Sequence, residues 1–263
     1  MFRKAAVAGL FYPSSSEEAE RFISENLTDA PPAEALAVML PHAGWVYSGR
    51  TAVKTASMVK IPDKVILIGP NHTGMGARIS VYPDGSWETP FGDVLIDAAT
   101  ASKLTSSKLC TADTAAHINE HSLEVIVPIL KYLNPDVRIT PVTVMGLSME
   151  TCAALGELLA SVCDDETLVA VSSDMNHFEN ASVTERKDAA ALQAVLALDE
   201  KALARTVSGM NISMCGAVPA AAAICYCKLK GCTKTELTEH THSGYVSGDY
   251  DRVVGYAGVI FHK

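Results

Sequence analysis

Three histidines in this sequence stand directly behind short apolar runs. Leu40 gives way to Pro41-His42-Ala43-Gly44, Ile68 to Gly69-Pro70-Asn71-His72, and Val171 to Ser172-Ser173-Asp174-Met175-Asn176-His177. Imidazole is a frequent metal ligand and the side chain best suited to proton transfer near neutral pH. Two His with one carboxylate suit non-haem iron(II), whereas His with Cys suits zinc or iron. On residue chemistry alone the third donor is Glu124, Asp174 or a cysteine. Cys215 stands apart from the other six cysteines because Gly216 and the apolar run Ala217–Cys227 follow it. A thiol at a helix start has its thiolate favoured by unpaired N–H groups and the helix dipole; the competing reading is a small residue packed at a helix start. Cys225 and Cys227 are two apart on a helical pattern and diverge. Cys152 and Cys163 read as helix-face packing, and Cys110 and Cys232 as loop or end residues.

His121 and Glu124 are three apart in Asn119-Glu120-His121-Ser122-Leu123-Glu124, a spacing that places both on one face of a helix. There they either orient a ligand and move protons or form a charge cluster at a helix start. His117, His240, His242 and His262 have no such context, and the last three read as surface or edge residues.

The elements that must position these residues alternate along the chain. Apolar strands are expected at Ala35–Leu40, Val65–Ile68, Arg78–Tyr82, Val137–Met145 and Leu168–Ser172, with two final strands near Thr235–His240 and Val253–Phe261. Helical patterns cover Arg50–Lys60, Asp97–Ser106, Glu120–Tyr132, Met149–Val162, Thr184–Leu198, Glu200–Val207 and a run starting near Gly216; Gly85–Phe91 is turn-rich. Buried strands alternating with amphipathic helices predict a single α/β domain over residues 1–263, in three layers, with a mostly parallel sheet and helices on both faces. In such sheets the ligand crevice lies beyond the carboxyl ends of the strands. The three histidine-bearing loops therefore converge on one crevice.

Composition narrows the partners. A formal charge of −9 with scattered Lys and Arg disfavours nucleic acid. The longest apolar runs fall short of the roughly 18–20 residues that cross a bilayer, and no signal peptide is apparent. Seven cysteines, an odd number in a chain of this size, argue against a disulfide framework. A cytoplasmic protein acting on a small molecule is expected, with no nucleic acid and no membrane. Gly-x-Ser-x-Gly, Walker A, dinucleotide-binding and His-Glu-x-x-His signatures are all missing.

Read together, these segments resemble the Memo family. The matching stretches are Ala8-Gly9-Leu10-Phe11-Tyr12-Pro13, Pro41-His42-Ala43-Gly44-Trp45, Gly69-Pro70-Asn71-His72, Glu88-Thr89-Pro90, Glu120-His121-Ser122-Leu123-Glu124, Ser172-Ser173-Asp174-Met175-Asn176-His177, Cys215-Gly216 and Gly255-Tyr256-Ala257-Gly258. Each is weak alone; their order over nearly the whole chain is specific. The resemblance implies a fold akin to class III extradiol dioxygenases, non-haem iron(II) enzymes that open catechol rings. There two His and one Glu hold iron and a further His is the acid–base; in the Memo family a cysteine takes the Glu position. Carried over, the ligands are His42, His72 and Cys215, His177 matches the acid–base, and Asp174 and His121 line the cleft beside Glu124. Iron(II) is the expected ion, with zinc or copper as alternatives. Animal members continue Cys-Gly-Arg-His-Pro, whereas Gly216-Ala217-Val218-Pro219 follows Cys215 here, so the anionic or phosphotyrosine-peptide binding attributed to them lacks its Arg and His. Two functions follow: a dioxygenase-like oxidoreductase on a small aromatic or chelating substrate, or a non-enzymatic scaffold that binds metal or peptide partners.

Overall fold

The computed structural model describes residues 1–263. Its strands are β1 (Phe2–Arg3), β2 (Ala35–Leu40), β3 (Lys64–Pro70), β4 (Ile79–Val81), β5 (Ser86–Trp87), β6 (Val94–Ile96), β7 (Thr111–Ala112), β8 (Arg138–Val144), β9 (Thr167–Ser172), β10 (His177–Glu179), β11 (Lys234–His242) and β12 (Val253–His262). Nine helices accompany them. They are α1 (Ser16–Asn26), α2 (Arg50–Ser57), α3 (Ala98–Thr105), α4 (Val127–Leu133), α5 (Met149–Val162), α6 (Ala181–Leu196), α7 (Glu200–Gly209), α8 (Ala217–Leu229) and α9 (Gly244–Ser247).

All twelve strands join one mixed sheet, whose main path runs β1-β5-β6-β8-β3-β9-β2-β12-β10. The centre, β6-β8-β3-β9-β2, is parallel throughout. Its strands are buried on both faces and alternate between two cores. Val65, Leu67, Leu168, Ala170, Val38 and Leu40 face one side; Ile66, Ile68, Val169, Val171, Ala37 and Met39 face the other. This is the period-2 geometry of a strand covered twice, and it explains why these segments read as continuous apolar runs. Helices α1, α2 and α4 supply the first cover; α3, α5, α6, α7 and α8 supply the second. The two final strands close one edge, with β12 antiparallel to β2 and to β11. No helix is long and apolar enough to cross a membrane.

Local chemistry sets most helix starts. Ser15, Asp97, Ser148, Asn180 and Asp199 each accept an N–H from the first turn of the helix they open. The Asn180 cap starts α6 at Ala181, three residues ahead of the pattern-based start at Thr184. A π-helical turn, Trp45–Gly49, precedes α2 and has no sequence signature. One expected helix is largely absent: over Glu120–Tyr132 only α4 forms, and residues 114–126 run as successive turns. The reason is a distant cation. Buried Arg3 donates from Nε to the His117 carbonyl (2.7 Å) and from Nη2 to the Glu120 carbonyl (2.9 Å), while Nη1 pairs with Glu124 at 2.7 Å. The first carbonyl of the expected helix, that of Glu120, thus points at a guanidinium, as does that of His117 just before it.

His117 is completely buried. Its Nε2 faces the Ser80 carbonyl at 3.2 Å and its Nδ1 has no partner. Burial, aided by the Arg3 charge, lowers it to about 4. A proton refused by the folded state but accepted by the unfolded chain weakens the fold. The contribution is therefore complete above the ordinary pKa of 6.5, is lost as pH falls from 6.5 to about 4, and levels off below. Urea unfolding at pH 7 and pH 4.5 should show an acid loss of which about 2–3 kcal/mol disappears in His117→Gln. Equal acid losses in both proteins would remove His117 as the cause.

Candidate metal centre

Because β9 lies between β2 and β3 in parallel register, the ends of these three strands are neighbours. His42 is two residues beyond β2, His72 two beyond β3, and Ser173–Asn176 continue from β9. Cys215 arrives from the connection between α7 and α8. One ligand atom each from His42, His72 and Cys215 lie within 4.8 Å of one another, and His42 Nε2 is 3.4 Å from Cys215 Sγ. A tetrahedral ion with bonds of roughly 2.0–2.3 Å needs this scale of separation.

Hydrogen bonds fix which nitrogen each ring presents. Ser172 Oγ spends its proton on the Ser122 carbonyl at 2.6 Å, so at 2.6 Å from His42 Nδ1 it accepts. His42 therefore carries its proton on Nδ1 and turns a bare Nε2 toward Cys215. His72 Nδ1 donates to Glu120 Oε1 at 2.9 Å, and its main-chain N–H also reaches Glu120, which leaves Nε2 bare again. Carboxylate–His–metal and hydroxyl–His–metal pairs of this kind orient ligands in metal sites generally. Two inward lone pairs and a sulfur form a donor set that fits zinc, iron(II) or copper. A second group, His72, Glu120 and His121, also falls within 4.8 Å. There the Glu120 oxygens already take N–H bonds from His72 and Ser122, so Glu120 serves as an orienting group.

Burial, with His121 and His72 nearby, keeps His42 neutral far below the usual imidazole range. Glu120 resists the cost of its burial: donors from His72 and Ser122 outweigh it and hold the carboxyl at about 2. Asp174 Oδ1 accepts from the His42 and Ala43 amides at 2.8 and 3.3 Å, yet burial pushes its carboxyl up. Cys215 departs from expectation. Burial, with the Asp174 charge beside it, pushes the thiol up, and the amides of Asp174 and Gly216 only partly offset this. Desolvation outweighs the helix start, so without an ion the residue is a thiol.

The structure brings His121 into the cluster, stacked on His72 at 4.7 Å and against Phe11 at 4.8 Å. His177 is half-buried on β10, its Nδ1 donating to the Ser213 carbonyl at 2.8 Å. That carbonyl, two residues before Cys215, sets the tautomer. Glu124 goes elsewhere: its oxygens take the amides of Ala6 and Val7, the Tyr12 hydroxyl and Arg3. His121 and Glu124 therefore share no helix face. His117 and His242 are buried; His242 does end the edge strand β11, but it is not on the surface. Glu120, Ser172 and Ser122 escaped sequence reasoning; Glu120 alone left a trace, as a carboxylate adjoining a histidine.

Removing the charge at Glu120 tests the orienting role. Glu120→Gln should weaken metal binding about 10–100-fold, measured by competition with a chromophoric chelator. Unchanged affinity would mean that His72 needs no carboxylate to hold its ring.

A family profile described as "Memo-like protein" matches residues 3–260. The chain belongs to the Memo family. Among its relatives, a MEMO1 family protein of Aquifex aeolicus is 39% identical, with 98% of each chain covered. One from Methanopyrus kandleri is 36% identical over the whole of both chains, and one from Pyrococcus furiosus 33%. The solved structure of an uncharacterized Escherichia coli K12 protein is similar with a TM-score of 0.55 at 13% identity, covering 86% of this chain and 98% of that one. At that identity the likeness speaks to the fold. Memo family membership and the α/β architecture thus stand together with a group of residues able to bind a metal.

Proposed function

We propose that His42, His72 and Cys215 hold one metal ion, iron(II) in the working protein with zinc or copper able to occupy the same donors, and that this Memo protein is a dioxygenase-like oxidoreductase for a small aromatic or chelating substrate. The observation that carries this reading is the convergence of two imidazoles with bare Nε2 atoms on a single sulfur. Three protein ligands leave a position for substrate, where a fourth would close the site. A bound redox ion would supply Lewis acidity and a path for electrons between substrate and an oxidant such as oxygen.

The chain's own residues do the rest. His177, engaged only through Nδ1, offers Nε2 to accept or return a substrate proton. Asp174 holds the His42 backbone in place through Oδ1. The His121 ring, with Phe11 against it, gives a planar substrate an apolar wall. Glu124 has no part in this scheme, since its oxygens are taken by the N-terminal segment. Seven unpaired cysteines suit a reducing, cytoplasmic setting.

The test is anaerobic loading with iron(II), then oxygen uptake against a panel of catechols and other bidentate ligands. One ion per chain and substrate-dependent uptake are expected. Full occupancy with no uptake for any compound would transfer the protein to the scaffold reading.

A further inference from the structure

A second piece of sulfur chemistry lies at the far end of α8. The helix closes on Gly231, at φ 77°, whose N–H donates to the Lys228 carbonyl at 3.2 Å while the Cys232 N–H donates to the Cys227 carbonyl at 2.9 Å. These are the paired bonds of the Schellman ending, which folds the residue after the glycine back onto one in the last helical turn. That contact is commonly apolar. Here both residues are cysteines. Cys227 is fully buried and Cys232 is half-exposed, and the Cys232 thiol itself reaches the Lys234 carbonyl at 3.5 Å. The Cys232 N–H on the Cys227 carbonyl brings the two residues' backbones together, as a disulfide between them requires. Cys152 and Cys225 are both buried, so neither offers an entry to an external reagent.

We propose that Cys227 and Cys232 form a redox-active pair that exchanges with a low-molecular-weight disulfide, such as glutathione disulfide, and closes an intramolecular disulfide at the end of α8. Cys232 is the entry thiol. Its partial exposure admits the reagent, and the neighbouring Cys227 thiol lowers it to about 7, where a useful fraction is thiolate. The Cys232 sulfur attacks one sulfur of RS–SR, the S–S bond breaks and RS⁻ leaves. Cys227 then attacks Cys232 in the mixed disulfide, forming the internal S–S bond and expelling the second RS⁻. The two cysteine protons end on two RSH; the pair loses two electrons and the reagent gains them. The closed bond pins the end of α8 beside the start of β11 at Lys234. The metal ligand Cys215 precedes the other end of this 13-residue helix, about 20 Å away, so the exchange is separate from the metal centre.

The experiment equilibrates the full chain with glutathione buffers, quenches by alkylation and maps the peptides by mass. Cys227 and Cys232 should lose their alkylation together and appear as one linked peptide, with Cys110, Cys152, Cys163 and Cys225 still alkylated. Doubling reduced glutathione at fixed oxidised glutathione should lower the oxidised-to-reduced ratio fourfold, because closure releases two thiols; a mixed disulfide alone would give twofold. Cys232→Ser should leave Cys227 fully reduced, and Cys227→Ala should leave Cys232 carrying glutathione. Metal content should match between oxidised and reduced protein. A twofold dependence in the native chain, a link from Cys227 to Cys163, or no reaction at either residue would overturn the proposal.

Discussion

Cys215→Ser should bind metal at least 100-fold more weakly than the native chain, while His177→Ala keeps full occupancy and loses whatever turnover is found. Cys215 ends the short segment Ser213–Cys215 and His177 is hydrogen-bonded to its Ser213, but the hydrogen bonds give them different tasks. Cys215 Sγ stands 3.4 Å from His42 Nε2, within the ligand cluster, and supplies its only sulfur. Serine keeps the size and removes the soft donor. His177 instead spends Nδ1 on a main-chain carbonyl and stays outside the trio. Binding must also expel the Cys215 proton, since burial keeps that thiol protonated. Affinity should therefore rise with pH, about tenfold per unit for one displaced proton, and Cys215→Ser should flatten the slope. Metal content by plasma mass spectrometry after dialysis reads the first comparison. If His177→Ala strips the ion as thoroughly as Cys215→Ser, His177 is a ligand and the open position does not exist.

Glu124→Gln should cost about 3–5 kcal/mol of stability, the loss typical when one partner of a buried ion pair is removed. Glu124 is 1% exposed and Arg3 3%. The carboxylate takes two amides, one hydroxyl and the guanidinium; glutamine can accept on one atom only and leaves Arg3 an unpaired buried cation. Replacing both partners by apolar residues, Arg3→Met with Glu124→Leu, should cost less than the single change. Urea midpoints at constant slope check this. A loss below about 1 kcal/mol would mean that water reaches Arg3 and screens the charge.

The strand ends carrying His42, His72 and His177 were legible because a doubly covered strand is apolar at every position, so its boundary with a polar loop is sharp. The convergence of those loops followed from parallel topology. Two features were not legible, both for the same reason: the deciding partner is remote. Residues 120–126 look helical until Arg3, more than a hundred positions away, claims the Glu120 carbonyl and that of His117 just before it. Glu120 meets His72 across 48 positions, with no local spacing to mark it. Cys215 stands out by the Gly216 and apolar run behind it as well as by family resemblance, but its protonation is set by desolvation in the folded core, which outweighs the helix start.

The strand order also sets a timetable for the ribosome. His42 and His72 are synthesised early, yet the strands bearing them are not neighbours; β9 must insert between β2 and β3 before the two loops meet, and Cys215 follows later still. A nascent chain emerging residue by residue therefore exposes two lone histidines with no formed pocket. The proposed trio therefore has all its donors side by side only once β9 lies between β2 and β3 and Cys215 has joined them, so the ion would be bound by an assembled sheet and not by a local segment of chain.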